Sequence, residues 1–209
     1  MLVSNFSVFT GCWRILTFPA LLKGQHAIIL PVDNHNLLAF TACIWAKPSI
    51  GTNGTALFSY STEGNHTQFQ LYLGRGWVQL SVGTAEVRVR ARPAQRWTHY
   101  CGIWDGDSGD TTLVVDGQAV ATRSTRAGPR TIPGRGAVRL GHRGAESHEG
   151  GEKALTTFAG KLTGFNLWDS ALTEVEIGHL LRSKGCDVKG NMVGWDDSPV
   201  TEGAGVLFH

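Results

Sequence analysis

Short strand-like segments recur along almost the whole chain, and glycine, proline or asparagine separates most of them. The clearest is 86–92, where Val87, Val89 and Ala91 alternate with three arginines before Pro93. A period of two residues is that of a strand with one buried face, and proline ends such a strand. Comparable segments are 26–31, 38–47, 55–60, 68–73, 77–82, 97–104, 111–116, 118–122, 137–141 and 158–168. The pattern predicts an all-β chain.

Residues 173–184 alone have the pattern of a helix. Thr173 can cap the first turn, two glutamates suit the positive end of the helix dipole, and Gly185 can end the helix. The 209 residues include 27 glycines and only 17% charged residues, which suits short strands joined by tight turns. We therefore predict a two-sheet antiparallel β-sandwich, or jelly roll, with one short α-helix near the C-terminus.

The net charge is small, +2 from 19 basic and 17 acidic residues, and gives no reason to expect a nucleic-acid partner. No apolar run approaches the ~20 residues that a membrane-spanning helix needs. Residues 1–10 lack the basic start and the small-residue cleavage site of a signal peptide. We expect the chain to be part of a longer secreted or membrane-anchored protein, and to reach a membrane only through that parent chain.

The chain has four cysteines, which are Cys12, Cys43, Cys101 and Cys186. They can pair in three ways. Cys43 and Cys101 lie in strand-like segments and suit a bridge between strands, whereas the other two lie near the ends and suit a bridge that closes the termini. Four reduced thiols in a cytosolic protein are the alternative interpretation.

Three sequons for N-linked glycosylation begin at Asn5, Asn53 and Asn65. Each alone is a weak signal because such triplets arise by chance. Together with the cysteines they predict a disulfide-bonded glycoprotein that is extracellular or at the cell surface.

Several segments together resemble the pentraxin family. They are 14–19 (RILTFP), 38–43 (LAFTAC), 99–104 (HYCGIW), 115–117 (VDG), 137–141 (AVRLG), 158–169 and 172–177. Within HYCGIW, Ile103 replaces the serine or threonine of the family signature. The resemblance runs from about Arg14 to Phe208, so we divide the chain into an N-terminal extension, 1–13, and a pentraxin-like domain, 14–209.

This resemblance implies a flattened jelly roll of the concanavalin A and laminin G type, with a helix on one face and a Cys43–Cys101 disulfide. Cys12 and Cys186 would be an extra pair, as in pentraxin modules of longer proteins, including adhesion G-protein-coupled receptors. Soluble pentraxins form pentameric rings, whereas an embedded module can be monomeric, so the oligomeric state stays open.

Pentraxins bind two calcium ions that bridge to phosphocholine, phosphoethanolamine or carbohydrate. The family's first calcium ligands, an Asp-Asn pair, match His66 and Thr67 here, and two later ligands match Lys153 and Thr156. Calcium needs six to eight oxygen ligands, and a lysine ammonium repels a divalent cation. The resemblance therefore implies a degenerate calcium site. The carboxylates left to offer oxygens are those of Glu146, Glu149 and Glu152.

Three sets of residues are candidates for ligand binding. The positions that line the choline pocket of some pentraxins match Tyr72, Ser81 and Glu86. A neighbouring basic stripe, suited to sulfated glycans or other anions, consists of Arg88, Arg90 and Arg92 with Arg96. A second basic group in the sequence is Arg123, Arg126, Arg130 and Arg135. The alternative is a solvated outer face with no ligand.

Other motifs favour structure over chemistry. A zinc site would need an unusual spacing of His142, Glu146, His148 and Glu149, so we favour a solvated loop. The carboxylates of Asp105, Asp107 and Asp110 lack the EF-hand pattern and predict a turn. Paired catalytic carboxylates, a Gly-x-Ser-x-Gly motif and a His-Glu-x-x-His motif are all absent from the sequence.

The sequence therefore predicts a non-catalytic extracellular recognition or adhesion module that binds a protein or a glycan. The alternative is a calcium-dependent, lectin-like pentraxin that binds phosphocholine-like or carbohydrate ligands.

Overall fold

The computed structural model describes most of the chain. The described residues are 14–19, 25–31, 35–49, 54–91, 95–125, 128–142, 158–183, 188–203 and 205–208. They form the strands β1 (Leu16–Phe18), β2 (Ala27–Ile29), β3 (Ala39–Pro48), β4 (Thr55–Ser61), β5 (Thr67–Gly74), β6 (Trp77–Val82), β7 (Ala85–Arg90), β8 (Thr98–Asp105), β9 (Asp110–Val115), β10 (Gln118–Ser124), β11 (Ala137–Leu140), β12 (Gly160–Trp168), β13 (Val200–Glu202) and β14 (Leu207–Phe208). A short 3-10 turn, Glu63–Asn65, precedes β5, and the helix α1 is Glu174–Ser183.

These strands form two antiparallel sheets of seven strands each. The first sheet has the order β10-β9-β8-β3-β12-β1-β14 and is called here the helix-bearing sheet. The second has the order β13-β2-β11-β4-β5-β6-β7 and is called the open sheet. Buried residues of both sheets form one continuous hydrophobic core. The predicted two-sheet sandwich with one short helix is confirmed.

The core between the sheets is rich in aromatic side chains. Phe40 of β3 stacks on Phe69 of β5 with ring centroids 4.0 Å apart, so the two sheets interlock at this point. Trp104 of β8 is the largest fully buried side chain among the described residues, and the centre of its ring lies 5.9 Å from that of Phe40. Because alternate residues of a strand point to opposite faces, the positions between these core residues lie on the outer surfaces of the sandwich.

Helix α1 packs on the outer face of the helix-bearing sheet. Its N-terminus carries a capping box, in which the Glu176 carboxylate accepts hydrogen bonds from the backbone N–H and the hydroxyl of Thr173, both at 2.7 Å. Ile177 and Leu180 are buried against a second hydrophobic cluster that contains Cys43 and Cys101. The predicted helix of 173–184 is thus present, and it covers the Cys43–Cys101 region.

Three strands were not predicted from the sequence: β1, β13 and β14. They have only three, three and two residues, which is too short for a two-residue period to be recognised. The observed strands β2 and β12 are also shorter than the predicted 26–31 and 158–168. Among the described residues, no helix is long and apolar enough to cross a lipid bilayer.

Asn166 joins β12 to the segment that follows the helix. A bulge between Thr163 and Asn166 interrupts β12, and Gly164 there has a φ of 62°, a conformation that glycine tolerates best. The buried Asn166 side chain accepts hydrogen bonds from the backbone N–H groups of Gly190 at 3.0 Å and Trp195 at 3.3 Å, and its amide donates to the Gly164 carbonyl at 3.2 Å. One side chain thus holds three backbone groups.

The two ends of the described chain meet at one edge of the helix-bearing sheet. Strand β1 pairs with β14, with Leu16 opposite Phe208. The Arg14 guanidinium donates to the carbonyls of Trp195 and Ser198, and it lies 5.1 Å from the centre of the Phe208 ring. Arg14 therefore fastens the first described segment to the last.

Candidate functional site

The outer face of the open sheet, called here the open face, gathers five of the ligand-binding candidates from the sequence. Three of its strands, β5, β6 and β7, are joined by two consecutive hairpin turns. Their outward side chains therefore form rows across the sheet. The rows, read from β5 to β7, are Gln70–Ser81–Glu86, Tyr72–Gln79–Arg88 and Gly74–Trp77–Arg90. Five residues that the sequence singled out thus lie on one surface, namely Tyr72, Ser81, Glu86, Arg88 and Arg90.

At one end of this face, two aromatic rings and an arginine are in contact. Tyr72 and Trp77 stack with ring centroids 5.1 Å apart. The Arg88 guanidinium lies 5.1 Å from the centre of the Trp77 ring, within the range of a cation–π interaction. A Cβ atom at Gly74 would lie 2.0 Å from the Trp77 ring, so only glycine leaves room for the indole at this place.

The other end of the open face carries the turn between β4 and β5, where the resemblance places the first calcium ligands. The His66 carbonyl accepts hydrogen bonds from the Thr62 N–H at 3.1 Å and from the Gln68 side-chain amide at 3.3 Å. Thr67 begins β5, and its hydroxyl lies 3.4 Å from the Ser61 hydroxyl. Neither His66 nor Thr67 supplies a carboxylate, the type of oxygen ligand that calcium prefers.

Beside this turn lies a shallow depression of about 310 Å³. Its charged lining residues are Glu63, Arg135 and Arg139. Two guanidinium groups and one carboxylate give this part of the surface a positive balance, which disfavours a divalent cation and favours an anion.

A second constellation with metal-ligand chemistry is buried under the helix. One ligand atom each from Cys43, His99 and Cys101 lies within 4.8 Å of the others. The two cysteines are directly opposed on β3 and β8 and form a disulfide. Disulfide sulfurs are not thiolates, which are the form of cysteine that binds metals, so the constellation is structural.

His99 is held in its neutral form within this cluster. Its ring lies beside that of Trp45, with centroids 4.9 Å apart and the planes tilted by 36°, and the residue is only 3% exposed. Burial lowers the pKa of His99 to about 4, and the Asp116 carboxylate opposes this shift only in part.

We expect this histidine to make the fold sensitive to mild acid. In the unfolded chain His99 takes up a proton near pH 6.5, whereas in the folded protein it stays neutral down to about pH 4. The unfolded state therefore binds more protons in this window, and the free energy of unfolding falls by about 3 kcal/mol as the pH drops from 6.5 to 4. Urea denaturation at a series of pH values measures this slope.

The matched control is His99→Gln, which removes the titrating group. Its unfolding free energy is expected to be lower than that of the wild type at pH 7.5, with a smaller difference at pH 4.5. Subtracting the variant's profile of unfolding free energy against pH from that of the wild type cancels the contributions of all other titrating residues. Parallel profiles would contradict the assignment of the acid sensitivity to His99.

Comparisons with known proteins agree with this geometry. A family model described as the pentaxin family matches residues 14–203. This chain belongs to the pentaxin family. Pentraxin-related protein PTX3 from Homo sapiens is 35% identical over 202 residues, which cover 95% of this chain and 53% of PTX3. The pentraxin chain thus spans about half the length of this curated relative.

Solved structures share the pentraxin fold. The native heptameric SAP-like pentraxin from Limulus polyphemus has a TM-score of 0.76 at 21% identity, over 93% of this chain and 94% of that chain. The full extracellular region of zebrafish Gpr126/Adgrg6 has a TM-score of 0.68 at 19% identity, over 94% of this chain and 26% of that chain. At such identities the likeness establishes the fold alone.

The structure of this pentraxin corrects the extent of the basic stripe. Arg88 and Arg90 lie on the open face, but Arg96 does not extend it, since its guanidinium pairs with the Asp116 carboxylate at 2.9 Å. This pair forms because Asp116 lies at the end of β9, next to the start of β8, on the other sheet.

The second basic group of the sequence is not one surface patch. Arg123 donates to the Glu86 carbonyl at the edge of the open sheet, and Arg135 lines the depression described above. Arg130 donates to the carbonyls of Gly106 and Asp107, in the turn between β8 and β9. The carboxylate of Asp105 accepts from the backbone N–H of Asp107 at 2.8 Å, which confirms this predicted turn.

Several predicted site residues lie outside the described residues. They are Asn5, Cys12, Asn53, Arg92, Arg126, Glu146, His148, Glu149, Glu152, Lys153, Thr156 and Cys186. Asn65 ends the 3-10 turn, but its side chain is not described. His142 lies near His26, with ring centroids 5.8 Å apart. The second disulfide, the glycosylation sites and the zinc alternative therefore stay predictions.

Sequence reasoning missed Trp77 as a member of the open face and Arg75 as the exposed charge of the turn beside it. Two-residue turns, Arg75-Gly76 and Gly83-Thr84, fix the pairing of β5 with β6 and of β6 with β7. The position of Trp77 on the open face can be counted from these turns. Counting back from the first turn places Gly74 opposite Trp77.

Proposed function

We propose that this pentraxin chain is a non-catalytic extracellular recognition module that binds a protein or glycan on its open face without calcium. The observation that carries the proposal is the convergence of Tyr72, Trp77, Arg88 and Arg90 on one outer surface of three adjacent strands. Aromatic rings and arginines are the side chains that most often anchor ligands at protein surfaces.

The calcium-independent part of the proposal rests on the turn after β4 and on the charges beside it. His66 and Thr67 replace the Asp-Asn pair that the family resemblance implies, and the depression next to them is lined by Arg135 and Arg139. Removing carboxylates and adding guanidinium groups both weaken the binding of a divalent cation.

The non-catalytic part rests on the carboxylates of the open face. Glycoside hydrolysis in this type of sandwich needs two carboxyl groups within about 5–10 Å of each other. In the three described rows of β5, β6 and β7, Glu86 is the carboxylate present, and its cross-strand neighbour is Ser81. Binding without bond cleavage fits this arrangement.

An extracellular location is supported by the disulfide between Cys43 and Cys101, since such bridges persist in oxidising compartments. The structural likeness to part of a zebrafish extracellular region fits a module within a longer cell-surface or secreted protein. Glycosylation at Asn5, Asn53 and Asn65 and a second disulfide between Cys12 and Cys186 belong to this proposal.

Calcium-dependent binding is the second candidate function, and membership of the pentaxin family is the observation that favours it. In that case Glu146, Glu149 and Glu152 would supply the oxygen ligands for one ion. The two candidates differ in one measurable property, the affinity for calcium.

Isothermal calorimetry and thermal melting with calcium distinguish these candidates. We expect no binding in the micromolar range and the same melting temperature in millimolar calcium as in EDTA. A ligand present at about 100 times its Kd stabilises the folded state by about 2.7 kcal/mol, so a family-like site would raise the melting temperature visibly.

The matched control is the double variant His66→Asp/Thr67→Asn, which introduces the acidic and amide ligands that the family has there. If this variant binds calcium and the wild type does not, the result would support the view that His66 and Thr67 are the replacements that abolish the family's calcium site. Micromolar calcium binding by the wild type would contradict the calcium-independent proposal.

A further inference from the structure

The end of the open face near the β5–β6 turn is rich in arginine and aromatic residues, and a general role in recognition does not account for this composition. Five residues lie there and are called here the arginine–aromatic platform: Tyr72, Trp77, Arg88 and Arg90 on the strands, and Arg75 in the turn beside them. The three arginines are exposed, and the two aromatic residues are partly buried.

In the part of the chain that the structure describes, no ion pair compensates the positive charge of this platform. The two rows that hold its strand residues, Tyr72–Gln79–Arg88 and Gly74–Trp77–Arg90, have no acidic residue. The nearest acidic position in the rows is Glu86, one row farther along β7. Among the described residues, no ion pair is formed by Arg75, Arg88 or Arg90. Three guanidinium groups therefore remain available to an anion.

The geometry of the platform fits a flat, extended ligand. Neighbouring strands are about 4.8 Å apart, so three strands span roughly 10 Å, and alternate residues along a strand are roughly 7 Å apart. This area is comparable to that of a disaccharide. The electron-rich faces of Tyr72 and Trp77 attract the polarised C–H groups of a sugar ring, and each guanidinium can hold a sulfate or carboxylate through two parallel hydrogen bonds.

We propose that the arginine–aromatic platform binds a sulfated glycan, with the sugar rings on Tyr72 and Trp77 and the sulfates on Arg75, Arg88 and Arg90. This inference rests on the proposed function and names the ligand class of the open face. Charge complementarity selects a sulfated over a neutral glycan, and the aromatic pair selects a saccharide over a simple inorganic anion.

A substitution at Gly74 can test the role of the aromatic rings without changing the charge of the platform. Its backbone does not have a positive φ, so alanine is compatible with the local conformation. The added methyl group would overlap the Trp77 ring and displace it from its position beside Tyr72 and Arg88. The variant Gly74→Ala therefore moves the aromatic part and keeps all three arginines.

The experiment measures the Kd of a heparin oligosaccharide and of its fully desulfated counterpart, in EDTA and at several salt concentrations. For the wild type we expect binding of the sulfated probe alone, weakening steeply as salt rises. Arg88→Gln/Arg90→Gln should raise the Kd by at least about tenfold and lower the salt slope by about two. Gly74→Ala should raise the Kd by about three- to tenfold with an unchanged salt slope.

The matched control is Lys161→Gln/Arg182→Gln, which also removes two exposed charges, but from the helix-bearing side. Its Kd should stay within about twofold of the wild-type value, as expected for charges more than one Debye length away. Melting temperatures of all variants show whether each is folded, and Arg88→Lys gives a second, conservative variant. Lysine keeps the charge but not the planar fork, so a loss of affinity in Arg88→Lys supports a bidentate contact.

The outcomes separate this inference from the proposed function. If the wild type does not bind the sulfated probe at low salt, or if the platform and control variants lose affinity equally, the platform is not the site. Neither result affects the calcium measurement. If the sulfated probe binds only when calcium replaces EDTA and the platform variants match the wild type, then both the platform and the calcium-independent function are wrong.

Discussion

Removing the disulfide with Cys43→Ala/Cys101→Ala is expected to lower the free energy of unfolding by about 4 kcal/mol. The bridge joins residues 58 positions apart in the sequence, so its absence lets the unfolded chain explore many more conformations. Both cysteines are almost fully buried and lie under Ile177 and Leu180 of the helix, so the variant also loosens the packing of the helix.

Urea denaturation, followed by tryptophan fluorescence and by circular dichroism, measures this loss. The control Cys43→Val/Cys101→Val keeps apolar volume in the cluster and separates the cross-link from the packing. If the cross-link dominates, both variants lose similar stability, and the wild type under reducing conditions behaves like them. A loss below about 1 kcal/mol in all three would contradict a stabilising role for the bridge.

The substitution Asn166→Ala is expected to cost about as much, roughly 4 kcal/mol. It leaves the backbone N–H groups of Gly190 and Trp195 without their acceptor and the Gly164 carbonyl without its donor. Each buried polar group that loses its partner costs about 1–3 kcal/mol, and the sum is large because one side chain serves three groups.

The control for this prediction is Asn166→Asp measured across pH. An aspartate keeps oxygen acceptors for the two N–H groups but places an acidic group in a buried site, where burial favours its neutral form. We therefore expect Asn166→Asp to be closer to the wild type at pH 5 than at pH 8. Equal stabilities of wild type and Asn166→Ala would show that Asn166 does not hold the 188–198 segment.

The sequence allowed strands such as β7 to be anticipated because one of their faces is buried and the other is exposed. In β7 the alternation of Val87 and Val89 with Arg88 and Arg90 is a direct result of the core on one side and water on the other. The helix was predictable for a similar reason, since Thr173 and the residues after it carry a capping signal and an apolar face.

The candidate site was predictable only in part. Tyr72, Ser81 and Glu86 were identified through the family resemblance, whereas Trp77 needed the hairpin register. The positive depression could not be anticipated, because its charges come from the turn after β4, from the segment before β11 and from β11 itself. Sequence distance hides such contacts, and no local periodicity reports them.

The joining of β1 to β14 has a mechanical consequence. Leu16 pairs with Phe208 and Thr17 with Leu207, so the first and last described strands run antiparallel, with their outer ends, Leu16 and Phe208, side by side. Tension applied through those ends loads the hydrogen bonds between the two strands one after another, as when a zipper is opened, and not all at once. Arg14, which lies over Phe208, resists the first step. When the force is applied at Leu16 and Phe208, we expect this edge to separate before the core between the sheets is disrupted.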